Sequence, residues 1–366
     1  MPLKIIQITP SFPPMISGVA DYASIMSNFF TSSGCEVKTI VASSKFEWNY
    51  ENDKNTIWLN NSEGKYLAEV LSSLGIENVV LHFSGYEYAP RGLCNWLVSG
   101  LSLWKKSCSS SRLITIFHEL YATGPLWRSS FWTSNAQKRI ASALAFLSDL
   151  AVTTSQSNYD KLKSMSRELP IKVLPVFSNV GELKFPDSLQ NRKPLAILFG
   201  TSGQRKKVYD ALARQMKSLA KAFELLGIKE VIDIGSRIDV PLHLAGYTVR
   251  TLGSIPPQEV SNWLSCARVG LLDYPVDVLT KSTIAAAYFA HGLLVVNTNY
   301  SGHLSSSLKD GQEFISLNQF EKRSIDPQFI ATNGWKWYQP HDLETSLQSI
   351  LRFCFGENKT LSSWDY

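Results

Sequence analysis

Cysteine is sparse in this chain: there are five in 366 residues, at positions 35, 94, 108, 266 and 354, and none forms a CxxC pair. That spacing excludes a zinc-ligand pattern and a disulfide framework, and it suits a reducing cytoplasm. Long apolar runs are missing too. The longest candidate, 140–152, is broken by Ser142, Ser148 and Asp149, whereas a membrane span needs roughly 18 residues. The opening stretch Ile5–Ile8 is too short for a secretory signal, so a cytoplasmic protein is expected. Charge of one sign is also lacking. Lys and Arg number 36 against 31 Asp and Glu, a net charge of +5. The surplus reads as too mild and too dispersed for a nucleic-acid partner, but compatible with a small polyanionic substrate or an acidic membrane surface.

Several chemical signatures are absent as well. The first strand is not followed by GxGxxG, so a dinucleotide dehydrogenase is unsupported, and no Lys-Ser or Lys-Thr pair stands where a Walker loop needs it. There is no Asp-x-Asp for a divalent cation and no Ser-His-Asp order, and the six histidines stand apart in the sequence. Neither a metal nor a cofactor is expected.

What is present alternates. Hydrophobic residues at 44% and charged residues at 18% exclude extensive disorder. At about 150 residues per domain the length corresponds to two domains. Short apolar runs predict strands at Lys4–Thr9, Val37–Val41, Val79–Phe83, Leu113–Phe117 and Leu150–Thr154. A helix is expected from Gly18, where Val19, Tyr22, Ile25, Met26, Phe29 and Phe30 share one face. After a polar, Pro- and Gly-containing stretch the pattern restarts. Strands are predicted at Leu195–Phe199, Val231–Ile234, Val269–Leu272 and Leu293–Thr298, with helices at Val208–Leu226, Pro257–Cys266, Thr283–His291 and Leu343–Phe353. The expected class is α/β, with two doubly wound parallel-sheet domains at 1–178 and 194–350, a linker at 179–193 and a tail at 351–366.

In such sheets ligands bind beyond the carboxyl ends of the strands. The loop after the first strand offers Gly18, where a ligand can approach the backbone, and Asp21 in the first helical turn. Phe199–Lys207 offers Gly200, Thr201 and Gly203 with the cations Arg205 and Lys206, a candidate diphosphate cradle. Lys281, Ser282 and Thr283 start a helix whose amides could hold a second phosphate. At another strand end, His118 is a hydrogen-bond donor or proton relay, and Glu119 orients it or a substrate hydroxyl.

Taken in order, ITPSFPPMISGVADYA, FHELYATGPLWRSSFW, VTTSQSNYDKL, VLPVFSNVGE, ILFGTSGQRKK, LGSIPPQEVSNWLSCARVGLLDYP and AAAYFAHGLLVV cover most of the chain. Together they resemble a GT-B glycosyltransferase of the retaining group 1 (family 4) type, within a bacterial subgroup. The resemblance implies two Rossmann-like domains facing a cleft, and sugar transfer from a UDP- or GDP-sugar, as in polysaccharide biosynthesis, without a metal. The acceptor would be a glycan, a lipid-linked precursor or a small molecule. It implies that His118 contacts the transferred sugar, while Arg205 and Lys206 neutralise the departing diphosphate. Gly18, Gly200, Thr201 and Gly203 would line the donor, and Asp21 and Glu119 the acceptor side. One departure stands out. The family's Glu-x7-Glu falls on Leu279 and Ala287 here, so Lys281, Ser282 and Thr283 are expected to take over donor contacts. A nucleotide-sugar epimerase of the same architecture, or a donor-binding protein without catalysis, is the alternative. Trp96, Trp104, Lys105, Lys106 and the aromatic segment Leu126–Trp132 are weighed both as a peripheral membrane patch and as core or cleft lining.

Overall fold

The computed structural model describes residues 2–15, 17–42, 54–108, 110–122, 129–300, 307–322 and 324–356. Contacts divide the chain into two units, Met1–Leu174 with Leu347–Tyr366, and Pro175–Ser346.

The first unit is built on seven strands, β1 (Lys4–Thr9), β2 (Glu36–Val41), β3 (Thr56–Trp58), β4 (Asn78–Phe83), β5 (Arg112–Phe117), β6 (Leu150–Thr153) and β7 (Ile171–Val173). They pair in the order β3-β2-β1-β4-β5-β6-β7, every pairing parallel. Helices α1 (Gly18–Ser32), α2 (Gly64–Leu74), α3 (Gly85–Tyr88), α4 (Asn95–Ser107), α5 (Ser129–Leu147) and α6 (Gln156–Met165) connect them. The central strands β1, β4 and β5 are buried on both faces after their first residue, which is why they are continuous apolar runs rather than alternating ones. Helix α1 starts where expected because Ser17 caps it, its side chain accepting from Ala20 N.

The second unit repeats the plan. Its strands are β8 (Lys193–Phe199), β9 (Glu230–Ile234), β10 (His243–Leu244), β11 (Tyr247–Gly253), β12 (Ala267–Leu272), β13 (Leu294–Asn297) and β14 (Ile315–Ser316), in the order β10-β11-β9-β8-β12-β13-β14. Helices are α7 (Ser202–Ala213), α8 (Met216–Leu226), α9 (Pro257–Cys266), α10 (Thr283–Ala290) and α11 (Pro327–Tyr338), while the last helix, α12 (Leu343–Phe355), starts in this unit and belongs to the first from Leu347 onward. The doubly wound α/β class expected from the sequence is therefore present in both units.

Two details differ from the sequence reading. The β10–β11 pair is antiparallel, a tight hairpin through Ala245 and Gly246, both at positive φ. The single helix predicted over Val208–Leu226 is two helices. It begins earlier because Thr201 caps α7, and it breaks at Arg214–Gln215, where the backbone N–H groups turn to Ala211 O and Leu212 O and the Gln215 side chain donates to Thr298 O and accepts from Tyr300. Of the two readings weighed for Trp104, the structure gives the core one. Trp104 is 1% exposed in the first core, and Lys105 binds Leu147 O and Asp149. Trp96 is half-buried and Trp132 exposed, while residues 123–128, including Trp127, lie outside the described residues. Among the described residues no helix is long and apolar enough to cross a membrane.

Candidate functional site

Each sheet has one place where the strand order reverses: between β1 and β4 in the first, and between β8 and β12 in the second. Loops leaving neighbouring strands there diverge to opposite faces and open a crevice at the carboxyl edge. Most of the residues singled out in the sequence fall at these two places.

In the first unit, three segments converge on the β1/β4 edge. The loop after β1 brings Ser11 and Ser17, the end of β4 brings His82 and then Glu87, and β5 runs into His118. The Ser11 hydroxyl donates to Glu87 Oε2 at 2.9 Å and that of Ser17 at 3.3 Å, with the two hydroxyl oxygens 2.6 Å apart. Burial raises the Glu87 carboxyl above its ordinary value, opposed by these hydroxyls, and the nearby Glu119 charge pushes further upward. Backbone hydrogen bonds from His118 N and Glu119 N to Phe83 O pin the end of β5 to β4. Gly18, at the start of α1, is exposed, and the position a Cβ would take has open space around it. Asp21 is half-buried in the first turn of the same helix, and Glu119 is exposed.

The histidines that stand apart in the sequence are not all apart in space. His82 Nδ1 lies 3.1 Å from His118 Nε2, their rings nearly parallel at 14° with centroids 5.4 Å apart. Tyr22 of α1 packs edge-on against both, at 5.0 Å from His118 and 5.8 Å from His82. His82 is 0% exposed, and burial, followed by the adjacent His118, holds its imidazole well below the ordinary range, so it is neutral. Neither His82 nor Glu87 is singled out by the sequence. The only signal for His82 is a polar ring in the run Val79–Phe83.

In the second unit, Gly200 ends β8 at φ +132°, and a Cβ there would fall 2.5 Å from Ile284 Cδ1 in the first turn of α10. The starts of α7 and α10 therefore sit side by side. Their caps are Thr201, accepting from Gln204 N, and Ser282, accepting from Ala285 N. Phe199, Gln204, Asp273, Tyr274, Ser282 and Ile284 line the crevice between them. Two helix N-termini at one sheet edge concentrate unpaired amides and positive dipole ends, which favours an anion. Lys281 and Thr283 flank Ser282 and are half-buried, and Gly203 is exposed on the first turn of α7. Leu279 and Ala287, at the family's acidic positions, are 1% and 0% exposed, so no side chain there replaces the missing carboxylates.

The cations Arg205 and Lys206 of the Phe199–Lys207 loop part company. Arg205 does not face solvent and cannot grip a phosphate as placed: its guanidinium is 1% exposed, ion-paired with Asp233, and donates to Ser236 O and to Gly200 O, the latter at 3.1 Å. Tyr209 OH holds the other Asp233 oxygen at 2.9 Å. The network passes so close to β9 that Gly235, at φ +147°, has no room for a side chain, since a Cβ would lie 2.4 Å from Gly200 O. Lys206 is exposed and paired with Asp210 at 3.5 Å, beside Asp239 and His243 rather than in the crevice with Ser282. His291, at the end of α10, is structural. It joins Ala287 O and Ser261 Oγ, each at 2.8 Å, and burial lowers it to about 4.

No family model and no curated protein matches this chain. Solved structures do. An α-glucosyltransferase in complex with UDP-glucose and DNA containing an abasic site is 11% identical, covering 96% of this chain and 97% of that one at a TM-score of 0.55. A glycosyltransferase from Rickettsia africae ESF-5 is 14% identical, covering 96% and 97% at 0.59. An α,α-trehalose 6-phosphate synthase from Burkholderia multivorans is 10% identical, covering 97% and 96% at 0.62. At these identities the likeness establishes the fold, which is GT-B. It also corrects the exclusion of a nucleic-acid partner. Net charge is a sum over the whole surface, and α-glucosyltransferases of this fold were solved with DNA, so a net charge of +5 does not exclude one here.

Proposed function

We propose that this chain is a glycosyltransferase that moves a sugar from a nucleotide-diphosphate sugar to a hydroxyl-bearing acceptor, with retention of configuration and without a metal. The observation that carries this reading is the end-to-end correspondence, 96% or more of both chains, with glycosyltransferases named with a UDP-sugar. In the reaction the bond from the anomeric carbon to the diphosphate breaks and one to the acceptor oxygen forms. The acceptor proton is released and the nucleoside diphosphate departs.

The second-unit crevice is the donor site. The amides starting α7 and α10, with Lys281, stabilise the charge that grows on the diphosphate. Thr201 and Ser282 shape the two helix starts, while Gly200, Gly203 and Thr283 form the surrounding wall. Arg205 acts here as a support that fixes Gly200, and Lys206 stands outside the crevice, beside Asp239 and His243. The first-unit cluster is the acceptor side: His118 meets the transferred sugar, and Glu87 with Ser11, Ser17 and Glu119 offers acceptors and donors to hydroxyls. Gly18 leaves space for a ligand at the start of α1, and Asp21 complements that helix's dipole.

The test is incubation with a panel of nucleotide sugars, following nucleotide release with and without acceptors. Because of the neighbours' names, sugar phosphates and a DNA duplex belong among the acceptors. Release that requires an acceptor is expected, with the product anomer read by NMR; isomerised donor instead indicates an epimerase, and binding without turnover overturns the enzyme reading. Once a donor is found, Lys281→Ala is expected to raise its KM about tenfold, as loss of one charge-assisted contact does. An unchanged donor KM in steady-state kinetics removes Lys281 from the site.

A further inference from the structure

We propose that His82 is a positioning residue that donates from Nδ1 to His118 Nε2 and so holds His118 with its proton on Nδ1. The function of this pairing rests on the glycosyltransferase reading; the tautomer assignment does not.

One proton occupies the 3.1 Å gap between His82 Nδ1 and His118 Nε2. His82 Nε2 is buried and has no hydrogen-bond partner among the described residues. If His118 donated across the gap, as a neutral ring or as a cation, His82 would have to carry its own proton on Nε2. That leaves a buried N–H donor unsatisfied, an arrangement folded proteins rarely tolerate. If His82 donates, only a bare lone pair is left there. A doubly protonated His82 is disfavoured by the same burial that keeps the ring neutral.

Tyr22 stands T-shaped to both imidazoles, and Tyr88 OH donates to the His82 carbonyl oxygen at 2.9 Å. The Nε2–H tautomer of His118 is thus disfavoured on the order of tenfold or more. His118 then carries its proton on Nδ1 and does not act as a general base that takes a proton on Nε2.

The experiment is ring-15N NMR of the full chain at neutral pH, with the His118 signals assigned by their loss in His118→Ala. Wild type is expected to show His118 protonated at Nδ1 and bare at Nε2. His82→Asn keeps an N–H at the position of Nδ1 and is expected to preserve that pattern and most of kcat. His82→Leu removes the donor and is expected to mix the tautomers and to lower kcat tenfold or more with donor KM within twofold. A proton on His118 Nε2 in wild type overturns the proposal, as does an equal kcat loss in the two variants. Should the leucine variant fail to fold, wild type and the asparagine variant decide. A wild-type spectrum as expected, in a chain that turns over no nucleotide sugar, sinks the enzymatic reading and leaves the tautomer assignment intact.

Discussion

Replacing Arg205 with alanine is expected to lower the melting temperature of the chain by on the order of 10 °C, a loss far larger than any surface cation would cause. The guanidinium is 1% exposed and its partner Asp233 is 2% exposed. Removing one member of so deeply buried a pair strands the other charge, which costs about 3–5 kcal/mol. The Gly200 carbonyl loses its donor at the same time, so the turn at the head of α7 loosens. Lys206→Ala is the built-in control, because an exposed pair such as Lys206–Asp210 contributes about 1 kcal/mol or less. Removing Asp233 together with Arg205 should cost less than the sum of the two single losses. If the arginine variant melts within a degree or so of wild type and instead loses donor affinity alone, the side chain does grip phosphate and the placement argued here is wrong.

His118→Ala is expected to lower kcat about 100-fold while leaving the fold intact and donor KM within a few-fold. A donor aimed at charge or hydroxyl rearrangement in the transition state carries an effect of that size. The residue is half-buried and anchored to β4 through its backbone, so truncating the ring leaves the sheet's own hydrogen bonds in place. Kinetics with the donor identified in the panel, alongside circular dichroism of both proteins, would measure it. A variant that keeps wild-type kcat would move the chemistry away from this edge of the first sheet.

The strands at the centre of each sheet were legible because burial on two faces demands uninterrupted apolar runs; β1 and α9 match their predicted limits residue for residue. The short strands β3, β7 and β14 carry too few residues to announce themselves, and the β10–β11 hairpin depends on two positive-φ positions, one of them an alanine. The candidate site was legible as strand ends but not as partnerships. His82 and His118 are 36 residues apart and meet only because β4 and β5 lie side by side. The three consecutive cations after Gln204 look alike in the sequence. A helix turns about 100° per residue, however, so α7 directs Arg205 to the interior and leaves Lys206 and Lys207 outside.

Both sheets finish in very short strands. β3 and β7 have three residues each, and β10 and β14 two each. A rim that brief gives a neighbouring molecule almost no ladder of amides and carbonyls to zip onto. Two wide sheets, parallel but for β10 and rich in valine, isoleucine and leucine, thereby end in outermost strands that offer fibre growth little to extend.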